Sequence, residues 1–242
     1  MRINETIKRD IEESIGTKGT SDLLKRIVFT IVEKSLIKVY GINYSTKCLQ
    51  SSIGIQMLLK DFGINSRILC GSVCFSSVRG YNPYQVTWEG FWDKNYHIWI
   101  ITDFFEIVDL TISQLNVHPA TTSKYTHSIP PLWWSPADLF PPIFKYLPDG
   151  QANVGLIGED LNLFEQFKNY VKEFKHKVIN GLNINDLNFE VILTGPSALD
   201  NLLENGNHWA LGSLLISQRA IEFPEWIKNK EKELLYKDKP KI

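Results

Sequence analysis

Residues 95–109 read NYHIWIITDFFEIVD, and this stretch decides the fold. Runs of β-branched and aromatic residues on both sides of Thr102-Asp103-Phe104 predict two antiparallel strands. If the chain turns through those three residues, a common loop length in hairpins, His97 lies directly opposite Asp109. Side chains alternate between the faces of a sheet, so the imidazole and the carboxylate then share one face, about 5 Å apart at Cβ. A two-residue turn would put them on opposite faces.

A helix and a strand precede this hairpin. Residues 47–61 predict a helix that begins at Cys48 and ends before Gly63, a residue suited to the left-handed position after a helix. Residues 67–77 predict a strand, in which Gly71 indicates the close approach of a neighbouring backbone. The helix therefore brings a thiol to its N-terminus shortly before the sheet begins.

The remaining elements are predicted with less regular patterns. Apolar residues at helical spacing predict helices at residues 3–16 and 161–179, and the N-cap candidates Thr20-Ser21-Asp22 predict another helix through about Tyr40. The segment 116–150 holds most of the eleven prolines and predicts an ordered wrap over the core. In it, Trp133 and Trp134 either cover the core or line a cleft. Residues 152–158 predict a short strand, and mainly helical elements are expected towards the C-terminus.

The composition is that of an ordinary globular chain. Of the 242 residues, 43% are hydrophobic and 22% are charged, and the net charge of −1 gives no positive field for nucleic acid or an anionic membrane. The start of the chain lacks an apolar signal sequence, and no apolar run approaches the roughly 18 residues of a membrane span. We therefore expect a cytoplasmic protein, with export by an unconventional route as the alternative.

Cys48, His97 and Asp109 together predict a thiol active site. A helix N-terminus favours the thiolate, and a neighbouring imidazole can take the thiol proton. A carboxylate beside that imidazole fixes its tautomer and stabilises its charged form. The resulting thiolate can attack a carbonyl carbon and form a thioester.

The same chemistry needs donors for the oxyanion of the tetrahedral intermediate. The backbone N–H of Cys48, at the start of a helix, is one candidate. Asn43 and the hydroxyl of Tyr44, in the preceding loop, are candidates for the second donor, and the sequence does not choose between them. Trp99, two residues after His97, is a further candidate for the wall of the cleft.

The other two cysteines predict core packing rather than chemistry. Cys70 and Cys74 lie four residues apart in one predicted strand, hence on one face and about 13 Å apart, too far for a disulfide. No second pair of ligands indicates zinc. We expect neither a metal nor a bound cofactor.

Four short motifs, in this order, resemble the core of the transglutaminase-like superfamily. They are the helix that starts at Cys48, the turn Gly63-Ile64-Asn65-Ser66-Arg67, the strand His97-Ile98-Trp99 and the strand end Asp109-Leu110-Thr111. Arylamine N-acetyltransferases share this papain-like arrangement. The resemblance covers residues 44–112, in which residues 79–93 look like an insertion that forms a loop or a short extra hairpin.

The resemblance implies a fold and roles for the site residues. The fold would be α+β and papain-like, with the cysteine-bearing helix packed on an antiparallel sheet, N-terminal helices and a mainly helical C-terminal extension. Residues 1–150 would hold the core, and residues 151–242 the extension, in the same domain or a second one. Cys48 would be the nucleophile, His97 the general base and Asp109 the orienting acid.

The expected function is cysteine-dependent acyl transfer through a thioester. The substrate would be a peptide, an amide or a small acyl compound, and the acyl group would pass to water or to an amine. Acetyl-CoA would be the donor if the protein is an acyltransferase. The alternative is a papain-like fold without activity that binds a protein partner, because a fold alone does not establish function.

Overall fold

The computed structural model describes residues 5–91, 96–121, 126–135, 142–152, 159–180, 187 and 191–237. In these ranges, helices pack around one antiparallel sheet, which confirms the predicted α+β class. The helices are α1 (Glu5–Thr17), α2 (Asp22–Tyr40), α3 (Cys48–Asp61), α4 (Glu159–Asn180), α5 (Pro196–Glu204), α6 (His208–Gln218) and α7 (Glu225–Lys237). The strands are β1 (Ser66–Arg79), β2 (Gln85–Phe91), β3 (His97–Thr102), β4 (Ile107–Asp109), β5 (Leu132–Trp134) and β6 (Phe144–Gln151).

The cysteine-bearing helix has the predicted boundaries. α3 begins at Cys48, and after its last turn Gly63 adopts a φ of +77°, the left-handed conformation that glycine tolerates. The N–H groups of Gly63 and Ile64 bond back to the carbonyls of Lys60 and Leu59, which is the pattern of a Schellman motif. This ending directs the chain straight into β1.

The hairpin of β3 and β4 has a three-residue loop, displaced by one position from the prediction. Ile101 pairs with Ile107, so the loop is Asp103-Phe104-Phe105 and not Thr102-Asp103-Phe104. Phe105 has a φ of +64°, the left-handed conformation that ends a three-residue hairpin loop. The strands therefore pair two residues out of the predicted register.

This displacement preserves the shared face but not the direct pairing. A shift of one residue in the turn changes the register by two, and side chains alternate with a period of two. His97 and Asp109 consequently remain on the same face. The predicted direct opposition is wrong, because Asp109 now stands opposite Trp99 and lies diagonally from His97.

The strands form one sheet. β2 and β3 pair with successive parts of one edge of β1, β4 and β5 follow beyond β3, and β6 pairs with the opposite edge of β1. Three strand spacings, about 14 Å on a flat sheet, separate β6 from β4. The Tyr146 side chain on β6 reaches across β1 and β3, and its hydroxyl donates to the Asp109 carboxylate on β4 at 2.8 Å.

The segment 116–150 contributes two strands to this sheet, where the sequence predicts an ordered wrap over the core without naming strands. β5 pairs with β4, and Trp133 and Trp134 are buried on its two faces, so they belong to the core. β6 pairs with β1, and Gly71 lies where a Cβ atom would meet the Leu147 carbonyl at 2.1 Å, as its predicted close approach requires. Residues 79–93 include the second strand of a hairpin, β2. The predicted strand 152–158 lies largely outside the described residues.

Two hydrophobic clusters cover the two faces of the sheet. Ile100, Val108 and Trp133 lie in one row across three strands and pack with α2, α3 and α4. The other cluster contacts α5 and α6, where the indole N–H of Trp209 donates to the Ser76 carbonyl at 3.0 Å. Among the described helices, none is long and apolar enough to cross a membrane.

Candidate functional site

Cys48 and His97 meet because α3 runs alongside β3 in the same direction. The Ser52 hydroxyl donates to the Ile98 carbonyl, at 3.5 Å, near the start of the strand. One turn further back along the helix lies Cys48, and one residue further back along the strand lies His97. The thiol and the imidazole therefore meet where both elements begin.

The start of α3 favours negative charge at the thiol. The residue before Cys48, Lys47, makes no side-chain hydrogen bond to the helix end. The N–H groups of the first helical turn have no partner within the helix, and the helix dipole gives this end a partial positive charge. Both features suit an anionic sulfur or an oxyanion beside it.

His97 links the thiol to a buried carboxylate. Its Nε2 lies 2.6 Å from Asp109 Oδ2, and both side chains are almost wholly shielded from solvent. The Cys48 side chain is a further neighbour of this ring, and its interaction with the imidazole raises the pKa of His97. The three residues predicted from the sequence are thus brought together in the order thiol, imidazole, carboxylate.

The Asp109 carboxylate is held by four hydrogen-bond partners. Oδ2 faces His97 and accepts a hydrogen bond from the Tyr146 hydroxyl at 2.8 Å. Oδ1 accepts hydrogen bonds from the Thr111 hydroxyl at 3.0 Å and from the Ile112 N–H at 3.1 Å. Because an ionised carboxylate has about four acceptor positions, these partners satisfy it and fix its orientation.

The neighbours of His97 change the pKa of its imidazole. Burial alone would lower the pKa of His97, but the Asp109 carboxylate and the hydrogen bond with Cys48 raise it to about 10. These two neighbours therefore favour the charged form of the imidazole over its neutral form.

Aromatic rings surround the imidazole. Trp99 stacks beside His97 with centroids 6.3 Å apart, and Phe91 lies on another side at 6.2 Å. His118 meets Phe91 edge-on at 4.6 Å, and its Nδ1 accepts a hydrogen bond from the Ala120 N–H, so its proton is on Nε2. Burial and the positive charge of His97 lower the pKa of His118. Trp99 thus lies beside the imidazole but is buried, at 2% exposure, and its place in a cleft wall stays a prediction.

The two predicted side-chain donors for the oxyanion differ in their surroundings. The Tyr44 hydroxyl is buried and donates to Glu33 Oε1 at 2.7 Å, so its one proton is already used and it is unavailable as an oxyanion donor. Burial and the Glu33 carboxylate also raise the pKa of Tyr44. Asn43 is exposed, and its Oδ1 accepts a hydrogen bond from Ser45 Oγ at 2.8 Å, which leaves its amide N–H groups as the candidate donors.

The other two thiols are held as thiols by their surroundings. Burial and the nearby Asp149 carboxylate raise the pKa of Cys70, and burial raises that of Cys74. Cys74 is fully buried, as predicted, whereas Cys70 is half-buried and its Sγ contacts the Gly150 carbonyl at 3.7 Å. All three cysteines are free.

Four neighbours of the site, Thr111, Ile112, His118 and Tyr146, had no role predicted from the sequence. Thr111 and Ile112 could have been found from a local capping pattern. In this pattern an Asp side chain accepts hydrogen bonds from a Thr hydroxyl two residues later and from a backbone N–H three residues later. Tyr146 and His118 come from distant segments without such a pattern. In the ranges that the structure covers, no group of three or more His, Cys, Asp and Glu side chains could hold a metal ion.

Comparison with known proteins gives no functional assignment. No protein-family model and no curated protein matches the chain. A crystal structure of a structural-genomics target is similar at a TM-score of 0.33 and 11% identity, over 67% of this chain and 80% of that chain. A TM-score this low carries no argument, so the function must be argued from the site.

Proposed function

We propose that the chain is a cysteine-dependent acyl-transfer enzyme of the transglutaminase-like, papain-like kind. The observation that carries the proposal is the continuous contact from Cys48 through His97 to Asp109, with a raised imidazole pKa. A core cysteine needs no such partners, and Cys70 and Cys74 lack them in the part of the chain that the structure describes. The order of the four motifs and the helix-on-sheet arrangement support the papain-like fold.

The reaction would begin with attack by the Cys48 thiolate on the carbonyl carbon of an amide or ester. A C–S bond forms, and the carbonyl electrons move onto oxygen to give a tetrahedral oxyanion. When the oxyanion collapses, the C–N or C–O bond breaks, and the leaving group takes a proton from the His97 imidazolium. The product of this half-reaction is a thioester on Cys48 and a neutral imidazole.

The second half-reaction would regenerate the enzyme. Water or an amine gives a proton to His97 as it attacks the thioester carbon, and collapse of the second oxyanion breaks the C–S bond. Asp109 remains a carboxylate throughout and stabilises the imidazolium whenever it forms. The Cys48 N–H and an amide N–H of Asn43 are our candidates for binding the oxyanion. If an acyltransferase, the protein would take its acyl group from a donor such as acetyl-CoA.

Detection of a thioester on Cys48 tests the proposal. Incubation with an activated ester such as p-nitrophenyl acetate should add one acyl group to Cys48, detected by peptide mass spectrometry, and release nitrophenolate in a burst. Cys48→Ser and His97→Ala should each lose the burst, whereas the control Cys70→Ser should keep it. Acylation spread evenly over the three cysteines, or unaffected by His97→Ala, would favour a protein-binding module without activity.

A further inference from the structure

Tyr146 reaches the site from a strand that is distant in the sequence. Its hydroxyl donates to Asp109 Oδ2 at 2.8 Å, and the same oxygen lies 2.6 Å from His97 Nε2. Two groups with very different proton affinities therefore share one carboxylate oxygen. The proposed reaction assigns no step to the tyrosine.

Packing holds the Tyr146 side chain in this position. Its ring meets Trp99 edge-on, with centroids 5.1 Å apart. Its strand is tied to α7 by an ion pair between the neighbouring Lys145 and Glu231, at 2.6 Å. The ring packing and the pairing of β6 with β1 together hold the hydroxyl at Asp109.

The hydroxyl is also a permanent donor. Burial and the Asp109 carboxylate raise the pKa of Tyr146 well above its ordinary value, so it keeps its proton at every working pH. A hydrogen bond to a carboxylate favours its ionised form. Without such donors, a buried imidazolium–carboxylate pair can relieve the cost of two buried charges by passing the proton to the carboxylate.

We propose that Tyr146 is a positioning residue that keeps Asp109 ionised and aimed at His97 Nε2, so that the proton stays on the imidazole. This inference rests on the proposed function, because it explains how the imidazolium beside the thiol is maintained. The titratable groups that face His97 are Cys48 from α3, Asp109 from β4 and His118 from the segment after β4. The Tyr146 hydroxyl donates its hydrogen bond to one of these three groups, Asp109.

The test compares Tyr146→Phe with the wild-type chain and with Tyr84→Phe. Tyr84 is a matched control because its hydroxyl lies 2.8 Å from another histidine, His208, at the exposed end of a hairpin. The protonation of His97 would be followed by 15N NMR from pH 5.5 to 10.5, and the labelling of Cys48 by iodoacetamide would be followed at pH 6. Urea unfolding should confirm that each variant is folded before the NMR titration and the labelling are compared.

Tyr146→Phe should lower the midpoint of His97 deprotonation by about one pH unit. Cys48 labelling at pH 6 should change little, because the ring stays protonated there in both proteins. Tyr84→Phe should change neither. Fluorotyrosine at position 146, a stronger hydrogen-bond donor, should move the midpoint in the opposite direction. That variant keeps the packing of the ring and so tests the hydroxyl even if the phenylalanine variant folds poorly.

An unchanged or raised midpoint in folded Tyr146→Phe would overturn the inference, even with a fully reactive Cys48. A purely packing role for Tyr146 predicts that result. A lowered His97 midpoint together with an unreactive Cys48 has a different meaning. If the His97 midpoint falls as expected but Cys48 of the wild-type chain is unreactive, the proposed function fails while the role of Tyr146 on the buried pair stands.

Discussion

The two ends of β4 carry two buried carboxylates that are used in different ways. Glu106, just before the strand, is 3% exposed, and Asp109, its last residue, is 2% exposed. Glu106 accepts hydrogen bonds from the Thr20 N–H and hydroxyl, at 2.9 and 2.7 Å, and from the Thr102 hydroxyl at 3.1 Å. Asp109 adds a histidine to its neutral donors.

The comparison shows that burial alone does not identify a functional carboxylate. The donors that the described structure shows on Glu106 are neutral and belong to the start of α2 and the β3–β4 hairpin, so this carboxylate joins two elements. Asp109 instead sets the charge of an imidazole that contacts a thiol. The chemical identity of the partner separates a structural role from a proposed catalytic one.

The largest expected effect is on stability, at the Glu106 end. Glu106→Ala removes the acceptor of three hydrogen bonds and leaves buried donors unpaired, so the free energy of unfolding should fall by about 3 kcal/mol. Urea unfolding at pH 7 measures this change. The labelling rate of Cys48 in the folded fraction should match the wild type. A loss of labelling comparable to that of His97→Ala would end the distinction between the two carboxylates.

The next effect is on reactivity, at the Asp109 end. Asp109→Asn preserves the shape but removes the charge that stabilises the imidazolium, so labelling of Cys48 at pH 6 should slow on the order of tenfold to a hundredfold. Rates from peptide mass spectrometry at several iodoacetamide concentrations test this expectation. A wild-type rate in this variant would show that the carboxylate has no part in activating the thiol.

The pH dependence of the unfolding free energy should differ between variants of Asp109 and variants of Glu106. The pKa of His97 is raised from about 6.5 to about 10 in the folded chain, so its contribution to stability is fully present below about pH 6.5 and is lost as the pH rises through 10. The difference in unfolding free energy between wild type and Asp109→Asn should therefore shrink from pH 6.5 to above 10. The corresponding difference for Glu106→Ala lacks this histidine contribution. Parallel curves for all three proteins would contradict the coupling.

The smallest effect comes from a matched pair of threonines. Thr111→Val removes one donor from Asp109, and Thr102→Val removes one from Glu106. Each should cost about 1 kcal/mol of unfolding free energy. Only Thr111→Val should also lower the midpoint of His97 deprotonation, by about half a pH unit, because only its partner acts on His97. Equal midpoints in both variants, measured by 15N NMR, would place the control of His97 elsewhere.

The sequence was sufficient for the parts of the site that depend on local patterns. The cap and turn residues around α3 fixed the position of Cys48, and alternation along β3 and β4 placed His97 and Asp109 on one face. The exact pairing was missed because Phe105 adopts a left-handed conformation that bulky residues rarely take. The residue types around the loop do not reveal that it is displaced by one residue.

The rest depends on contacts between distant segments. β5 and β6 were not predicted because prolines and mixed aromatic residues hide the alternation of strands, and Pro148 lies where the pairing of β6 with β1 is irregular. The contact of Tyr146 with Asp109 joins two strands that lie three strand spacings apart in the sheet. No local pattern in the sequence encodes the order of these strands.

The pH dependence of labelling at the three cysteines tests the central claim most directly. Wild-type protein would be treated with iodoacetamide from pH 5 to 10, and the rates at Cys48, Cys70 and Cys74 would be read from peptides of the same sample. We predict that Cys48 stays reactive at pH 6, at a rate about a hundredfold above the other two, and that His97→Ala abolishes this difference. Equal, slow labelling of all three, with a common rise near pH 8.5, would contradict the account.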